Sequence, residues 1–283
     1  MKKLFIIGIL IIALLPFTAC EELPAGDELM SRVYEAMAEV DSYKEDLDVT
    51  MRFYVEGGDY TADMPLAMDI IADSHIIYDV VNEEMEMTME YDISSDDEDI
   101  TMKMEMAIYL VGDMLYAMMD VPFAPGEWTK SPVPDGYWEE MDYLEIQMNL
   151  FEASGIEVLG KERKENVECY VVQMKPDISQ LFELIMGQTT VPLGQLSASD
   201  FDMISEMFQN YSVKMWIDKE EYLIVYAEIQ MYIEATPELM GMYDEEGMVS
   251  INATMDMRSY DYDLPVAITV PEEAEEAEES FMW

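Results

Sequence analysis

Two cysteines, one histidine and 14 basic residues are all that this chain of 283 residues contains of the types that build most compact chemical sites. Two cysteines cannot make a disulfide scaffold, nor with a single histidine a closed zinc site. His75 is the one possible centre of a Ser-His-Asp or Cys-His arrangement, and nothing beside it resembles a nucleophile elbow. Glycine-rich phosphate loops are absent, and no Gly/Ser- or Pro-rich stretch forms a linker, which favours one domain. Against 62 acids the basic residues leave a formal charge of −48, with no basic patch for nucleic acid and a field that repels anionic head groups. The acidic runs Asp96 to Asp99 and Asp244 to Glu246 lack the ligand spacing and turn glycine of a calcium loop. Among so many acids, paired carboxylates say nothing about catalysis. The expectation is a protein that is not an enzyme, with no cofactor and no metal.

What the chain does have is hydrophobic content of 51 %, too much for a disordered acidic chain. Apolar and acidic residues alternate, as in strands with one wet face. Glu84 to Leu110 shows this most clearly. Met85, Met87, Met89, Tyr91 and Ile93 occupy every second position, then Met102, Met104, Met106, Ile108 and Leu110, joined by the polar connection Ser94 to Asp99. The pattern predicts a β-hairpin whose apolar face is mostly methionine, although Val and Ile have the better strand propensity. Methionine is flexible and polarizable and suits surfaces that accept more than one shape.

The N-terminus carries Lys2 and Lys3, then an apolar run from Leu4 to Leu15, shorter than the roughly 20 residues a bilayer span needs. Phe17-Thr18-Ala19-Cys20 resembles a bacterial lipoprotein signal, in which the cysteine is lipidated and becomes the mature N-terminus. An ordinary signal peptide with a cysteine near its cut is the other reading. The expected division is a signal peptide over 1–19, a lipidated Cys20 and tether over 20–26, one domain over 27–271 and an acidic tail over 272–283. Cys169, left without a disulfide partner, alternates with Val167 and Val171 as a buried small hydrophobe would.

Within the domain, Asp27 is placed to cap a helix to about Val40 with Leu29, Val33, Ala36, Met37 and Val40 on one stripe. Alternation predicts strands over Leu47 to Val55, Met64 to Ile70 and Ile76 to Val81, then the methionine hairpin and another hairpin at Gly112. A helix is expected over Tyr137 to Phe151 and a hairpin over Val158 to Met174, turning near Lys164 to Asn166. Two apolar helices follow, one carrying Leu181, Phe182 and Ile185, the other Phe201, Ile204 and Phe208. Strands resume at Val213 to Ile217, Leu223 to Ile233 and Val249 to Met257, and Ala267 to Val270 is expected to close the sheet.

The segments EAMAEVDSY (Glu35 to Tyr43), YLVGDMLYAMMDVPFAPGEWTK (Tyr109 to Lys130), MWIDKEEYL (Met215 to Leu223) and PVAITVPEEA (Pro265 to Ala274) complete a pattern that spans nearly the whole chain. It resembles the lipid-binding lipoproteins with a half-barrel fold, of the LolA/LolB-like carrier and LppX/LprG-like mycobacterial types. The resemblance implies a mainly β (α+β) fold: a single strongly curved antiparallel sheet with an N-terminal helix and an inserted apolar helical pair over its concave face. It also implies acyl-chain binding in the hollow and brings no catalytic residues.

Taken together, these readings give an extracytoplasmic lipoprotein anchored to the cell membrane through Cys20, binding a lipid or other hydrophobic small molecule as a monomer with no nucleic-acid partner. The expected cavity lining is Met85, Met87, Met89, Met102, Met104 and Met106 with Leu181, Phe182, Ile185, Phe201, Ile204 and Phe208. Two alternatives stand beside it. One is a non-enzymatic sensor or interaction module of the cell envelope with a self-filled core. The other is Cu(I) bound by the Met-x-Met units, although sulfurs about 6.6–7 Å apart along one strand need help from another strand.

Overall fold

The computed structural model describes residues 23–56, 67–96, 101–124, 126–133, 154–176, 206–236 and 247–279. Helix α1 spans Gly26–Met37. The strands are β1 (Ser42–Glu56), β2 (Ala67–Asp79), β3 (Glu84–Ser95), β4 (Thr101–Val111), β5 (Met114–Asp120), β6 (Thr129–Pro132), β7 (Ser154–Lys164), β8 (Val167–Pro176), β9 (Phe208–Asp218), β10 (Ile224–Ala235) and β11 (Met248–Tyr260), followed by a short helix α2 (Glu272–Glu275) and β12 (Glu278–Glu279). All twelve strands form one open sheet in the order β12-β6-β5-β4-β3-β2-β1-β11-β10-β9-β8-β7. Two meanders therefore meet where β1 pairs with β11, and only β12 lies parallel to its neighbour. This is the mainly β, curved half-barrel that the resemblance implied.

Hairpin chemistry supports the register. Between β7 and β8 the two turn residues, Glu165 and Asn166, both have positive φ (50° and 72°), the combination whose twist matches flanking strands. Between β4 and β5, Gly112 takes φ +63°, which suits a residue without Cβ.

Ala25 is the N-cap of α1 and offers no side-chain hydrogen bond, so Asp27 stands inside the first turn with Glu28, where both acids favour the positive end of the helix, and does not cap it. Leu29, Met30 and Val33 are buried against Tyr170, Val172, Met174, Val213, Met215 and Ile217, so the helix covers the β7–β10 end of the apolar face. Each such side chain contributes about 1.5–3 kcal/mol on burial. The approach is close: a Cβ on Gly26 would lie 2.8 Å from Ile156 Cγ2.

The structure departs from the sequence reading in three further places. Ala67–Asp79 is one strand, because Asp73 and its neighbours pair on both sides despite their polarity. Met64 and Leu66 lie outside the described residues, as do the helix expected at 137–151 and most of the pair expected over 178–208. Phe208, expected at the end of a helix, opens β9 opposite Ile233; cross-strand pairing overrides local helical pattern there. Ala267 to Val270 forms no strand; the chain runs on to α2 and β12, where Ala274 is buried and Lys130 Nζ donates to the Glu275 carbonyl at 2.6 Å, so the acidic segment packs on the sheet edge.

Candidate functional site

Residues directly paired across an antiparallel sheet share a face, so the registers give the composition of each face row by row. On the apolar face one row runs Glu45–Ile76–Met87–Ile108–Ala117, the next Met257–Leu47–Ser74–Met89–Met106–Met119, and the next Met255–Val49–Ala72–Tyr91–Met104. Met85 faces Leu110, and Met102 faces Ile93. The six methionines of β3 and β4 thus share one face, as the alternation predicted, and all six are half-buried. Most face a hydrocarbon or tyrosine partner across the ladder; Met89, Met106 and Met119 alone stand three in a row. Under α1 the same face is closed, with Val172 and Ile217 fully buried. Of the apolar residues expected on the helical pair, Phe208 is half-buried at the start of β9; Leu181, Phe182, Ile185, Phe201 and Ile204 lie outside the described residues.

The opposite face carries what the sequence did not reveal. Glu228, Asp256, Asp48, Asp73, Glu90, Glu105 and Asp120 stand in one cross-strand row over seven consecutive strands, β10 to β5. Burial holds the Asp48 carboxyl above the usual carboxylate range, and Asp73 and Asp256 push it further in the same direction. Beside it runs the row Trp216–Tyr226–Arg258–Asp46–His75–Thr88–Ala107–Met118. A hollow of about 870 Å³ follows these two rows, bordered also by Ser74, Met89, Met106 and Glu165. The hollow is a trough along these rows of the acidic face.

In the trough His75 Nδ1 lies 2.7 Å from Asp46 Oδ1, and the Tyr260 hydroxyl donates to the same oxygen at 3.2 Å. Sequence reasoning found no partner for His75. Both residues lie just outside the strands that alternation predicted, and the β1–β2 register sets them opposite each other. The Tyr226 hydroxyl donates to Asp256, and Lys164 Nζ sits 3.4 Å from the Tyr226 ring centroid. Burial, then Asp256, raises the Tyr226 phenol well above its usual range. The carboxylates are spread along a ladder, and among the described residues no group of three or more His, Cys, Asp or Glu converges as a metal site. Cys169 is fully buried, and burial pushes its thiol up. Among the described residues no helix is long and apolar enough to cross a membrane.

An open twelve-stranded sheet, apolar on one face and acidic on the other, with α1 packed on the apolar side, defines an α+β half-barrel. A family model described as a family of unknown function (DUF6612) matches residues 25–279, and the chain belongs to that family. No relative is found among curated proteins. Among solved structures the chain is similar to the lipoprotein LppX of Mycobacterium tuberculosis, with 11% identity and a TM-score of 0.38 over 86% of this chain and 97% of that one. It is similar to LprF of Mycobacterium bovis, with 10% identity and a TM-score of 0.41 over 87% and 96% of the two chains. A putative outer membrane lipoprotein-sorting protein domain from Vibrio parahaemolyticus matches with 10% identity and a TM-score of 0.28 over 86% and 95%.

Proposed function

We propose that this chain is an extracytoplasmic, non-enzymatic lipoprotein, held to the membrane by lipid on Cys20, that binds a lipid or similarly apolar molecule on the methionine face of β3 and β4 as a carrier or store. The observation that carries this reading is the contrast along one face of the sheet. Under α1 it is packed dry, whereas Met85, Met87, Met89, Met102, Met104 and Met106 keep part of their surface accessible. A closed core gains from stiff Val and Ile, whereas soft thioethers suit an occupant of variable shape. Expected on the helical pair, Leu181, Phe182, Ile185, Phe201 and Ile204 belong to the same proposed lining.

Uptake of a fluorescent long-chain alcohol tests it. Met87→Glu and Met104→Glu should abolish uptake, since an unpaired charge would be desolvated by the ligand. Met87→Leu and Met104→Leu should retain it, their volumes being similar. Glu90→Gln, on the other face, should change nothing. A second reading, an interaction or sensor module with a self-filled core, is favoured by the position of the 870 Å³ hollow on the acidic face. It takes over if the Met→Glu chains unfold and no folded variant alters uptake.

A further inference from the structure

One carboxylate stands on the wrong side of the sheet. Among the described strands β1 to β6 and β9 to β11, Glu45 is the only acid whose register places it on the apolar face, opposite Ser259 on β11 and Ile76 on β2. Its row continues to Met87, two strands and about 10 Å away at normal strand spacing. The one side-chain hydrogen bond it receives among the described residues comes from the buried Ser259 hydroxyl, at 3.2 Å to Oε1. Among the described residues no Lys, Arg or His pairs with it; nearby Lys44 points to the other face and pairs with Asp261 at 2.9 Å. The wall next to it is aromatic. Tyr43 precedes Glu45 by two residues on the same face and stacks on Tyr78 (centroids 4.5 Å apart) and on Tyr262 (5.8 Å). The Tyr262 hydroxyl is occupied by the Ile224 carbonyl at 2.5 Å and gives nothing to the carboxyl.

A half-buried carboxylate with one weak donor keeps acceptor capacity that water or a ligand must fill. We propose that Glu45 anchors the polar end of the bound amphiphile and selects one that donates hydrogen bonds, an amine or a hydroxyl, over one that ends in a carboxylate. This rests on the ligand lying against the methionine face: the alkyl part covers Met87, Met89, Met104 and Met106, and the polar end reaches across Ile76. An ammonium gains a charge-assisted hydrogen bond there, a hydroxyl a neutral-donor one, and a carboxylate meets a like charge. Burial, only partly offset by Ser259, holds the Glu45 carboxyl above its usual range, as expected of an acid that lacks a cationic partner.

The test uses the full chain, a fluorescent long-chain alcohol as reporter, and dodecylamine, dodecanol and dodecanoate as competitors. It is run in about 0.5 M salt, where screening over about 4 Å removes the general field of an acidic protein. Dodecylamine and dodecanol should displace the reporter at concentrations about tenfold or more below dodecanoate, the ratio one charge-assisted contact supplies. Amine ahead of alcohol identifies an ionic anchor, and the two alike identify a neutral hydrogen bond; both support the proposal. Glu45→Gln should bring dodecanoate to within about twofold of dodecanol, while Glu90→Gln keeps the wild-type ranking. Equal displacement by all three in wild-type protein overturns the anchor and leaves the apolar site standing, and does so even if the variant fails to fold. A ranking unchanged in folded Glu45→Gln overturns it as well. Failure of any alkyl compound to bind overturns both the anchor and the site.

Discussion

Asp48 of β1 and Asp73 of β2 face each other directly across the sheet, with Asp256 of β11 on the far side of Asp48. Like charges placed opposite each other in a ladder oppose pairing, and here the arrangement repeats over seven strands. Partial desolvation, then the facing Asp73 and Asp256, holds the carboxyl of Asp48 above its usual range. For such a group the folded state binds the proton more tightly than the unfolded one. Its stabilising contribution is full below the ordinary carboxylate pKa of about 4 and is lost as pH rises through the higher folded value. Asp48→Asn should therefore raise the urea midpoint at pH 7 by the equivalent of roughly 0.2–1 kcal/mol, at the low end because the site is exposed and screened. The gain should shrink towards pH 4 and in molar salt. A midpoint that falls at pH 7 removes the repulsive ladder as a stability term.

Closeness of α1 to β7 sets a second expectation. Ala at position 26 places a Cβ 2.8 Å from Ile156 Cγ2 and 3.0 Å from the Ile156 carbonyl oxygen. Gly26→Ala should destabilise by about 1–3 kcal/mol through overpacking. Ile156→Ala removes Cγ2, so Gly26→Ala should cost less in that background than alone, which thermal unfolding of the single and double variants will show.

The closed and half-open parts of the apolar face should respond differently to truncation. Leu29, fully buried on the sheet-facing side of α1, should cost about 2–5 kcal/mol as Leu29→Ala. Met104→Ala, on the half-buried stretch, should cost distinctly less, about 1 kcal/mol. Equal losses in chemical denaturation would mean that the methionine face is packed like the rest.

Cys169 offers a probe of opening. Its thiol is fully buried and its pKa is raised, so a thiol reagent should react with the folded Cys20→Ser chain only at the rate at which β8 opens. Urea should accelerate labelling in parallel with unfolding. Rapid labelling of the native protein would show that β8 opens independently.

The proposed anchoring through Cys20 carries its own test. Cys20→Ser should leave the protein in the soluble fraction after salt and carbonate washing, because two acyl chains hold a protein stably and none remain. Retention on the membrane would require another means of attachment.

The sequence by itself determined the strands and their faces. A period of two over Leu47 to Val55, Glu84 to Leu110 and Val249 to Met257 forces apolar and acidic residues to opposite sides, whatever the neighbours are. It also carried the methionine face, the α1 stripe and the turns at Gly112 and Glu165-Asn166, because each depends on residues close in the chain. Tertiary structure decided which strands are neighbours. The pairing of β1 with β11 joins residues some 200 positions apart. That register sets Glu45 beside Ser259 and, with the registers on either side, lines up seven carboxylates from seven strands, while the β1–β2 register brings Asp46 to His75. None of these juxtapositions leaves a local trace. An acid at an alternate position reads as a wet-face residue, and a single misplaced one such as Glu45 reads as a strand end. Ala67–Asp79 became one strand for the same reason: its polar middle is satisfied by partners on β1 and β3, which no window along the chain contains.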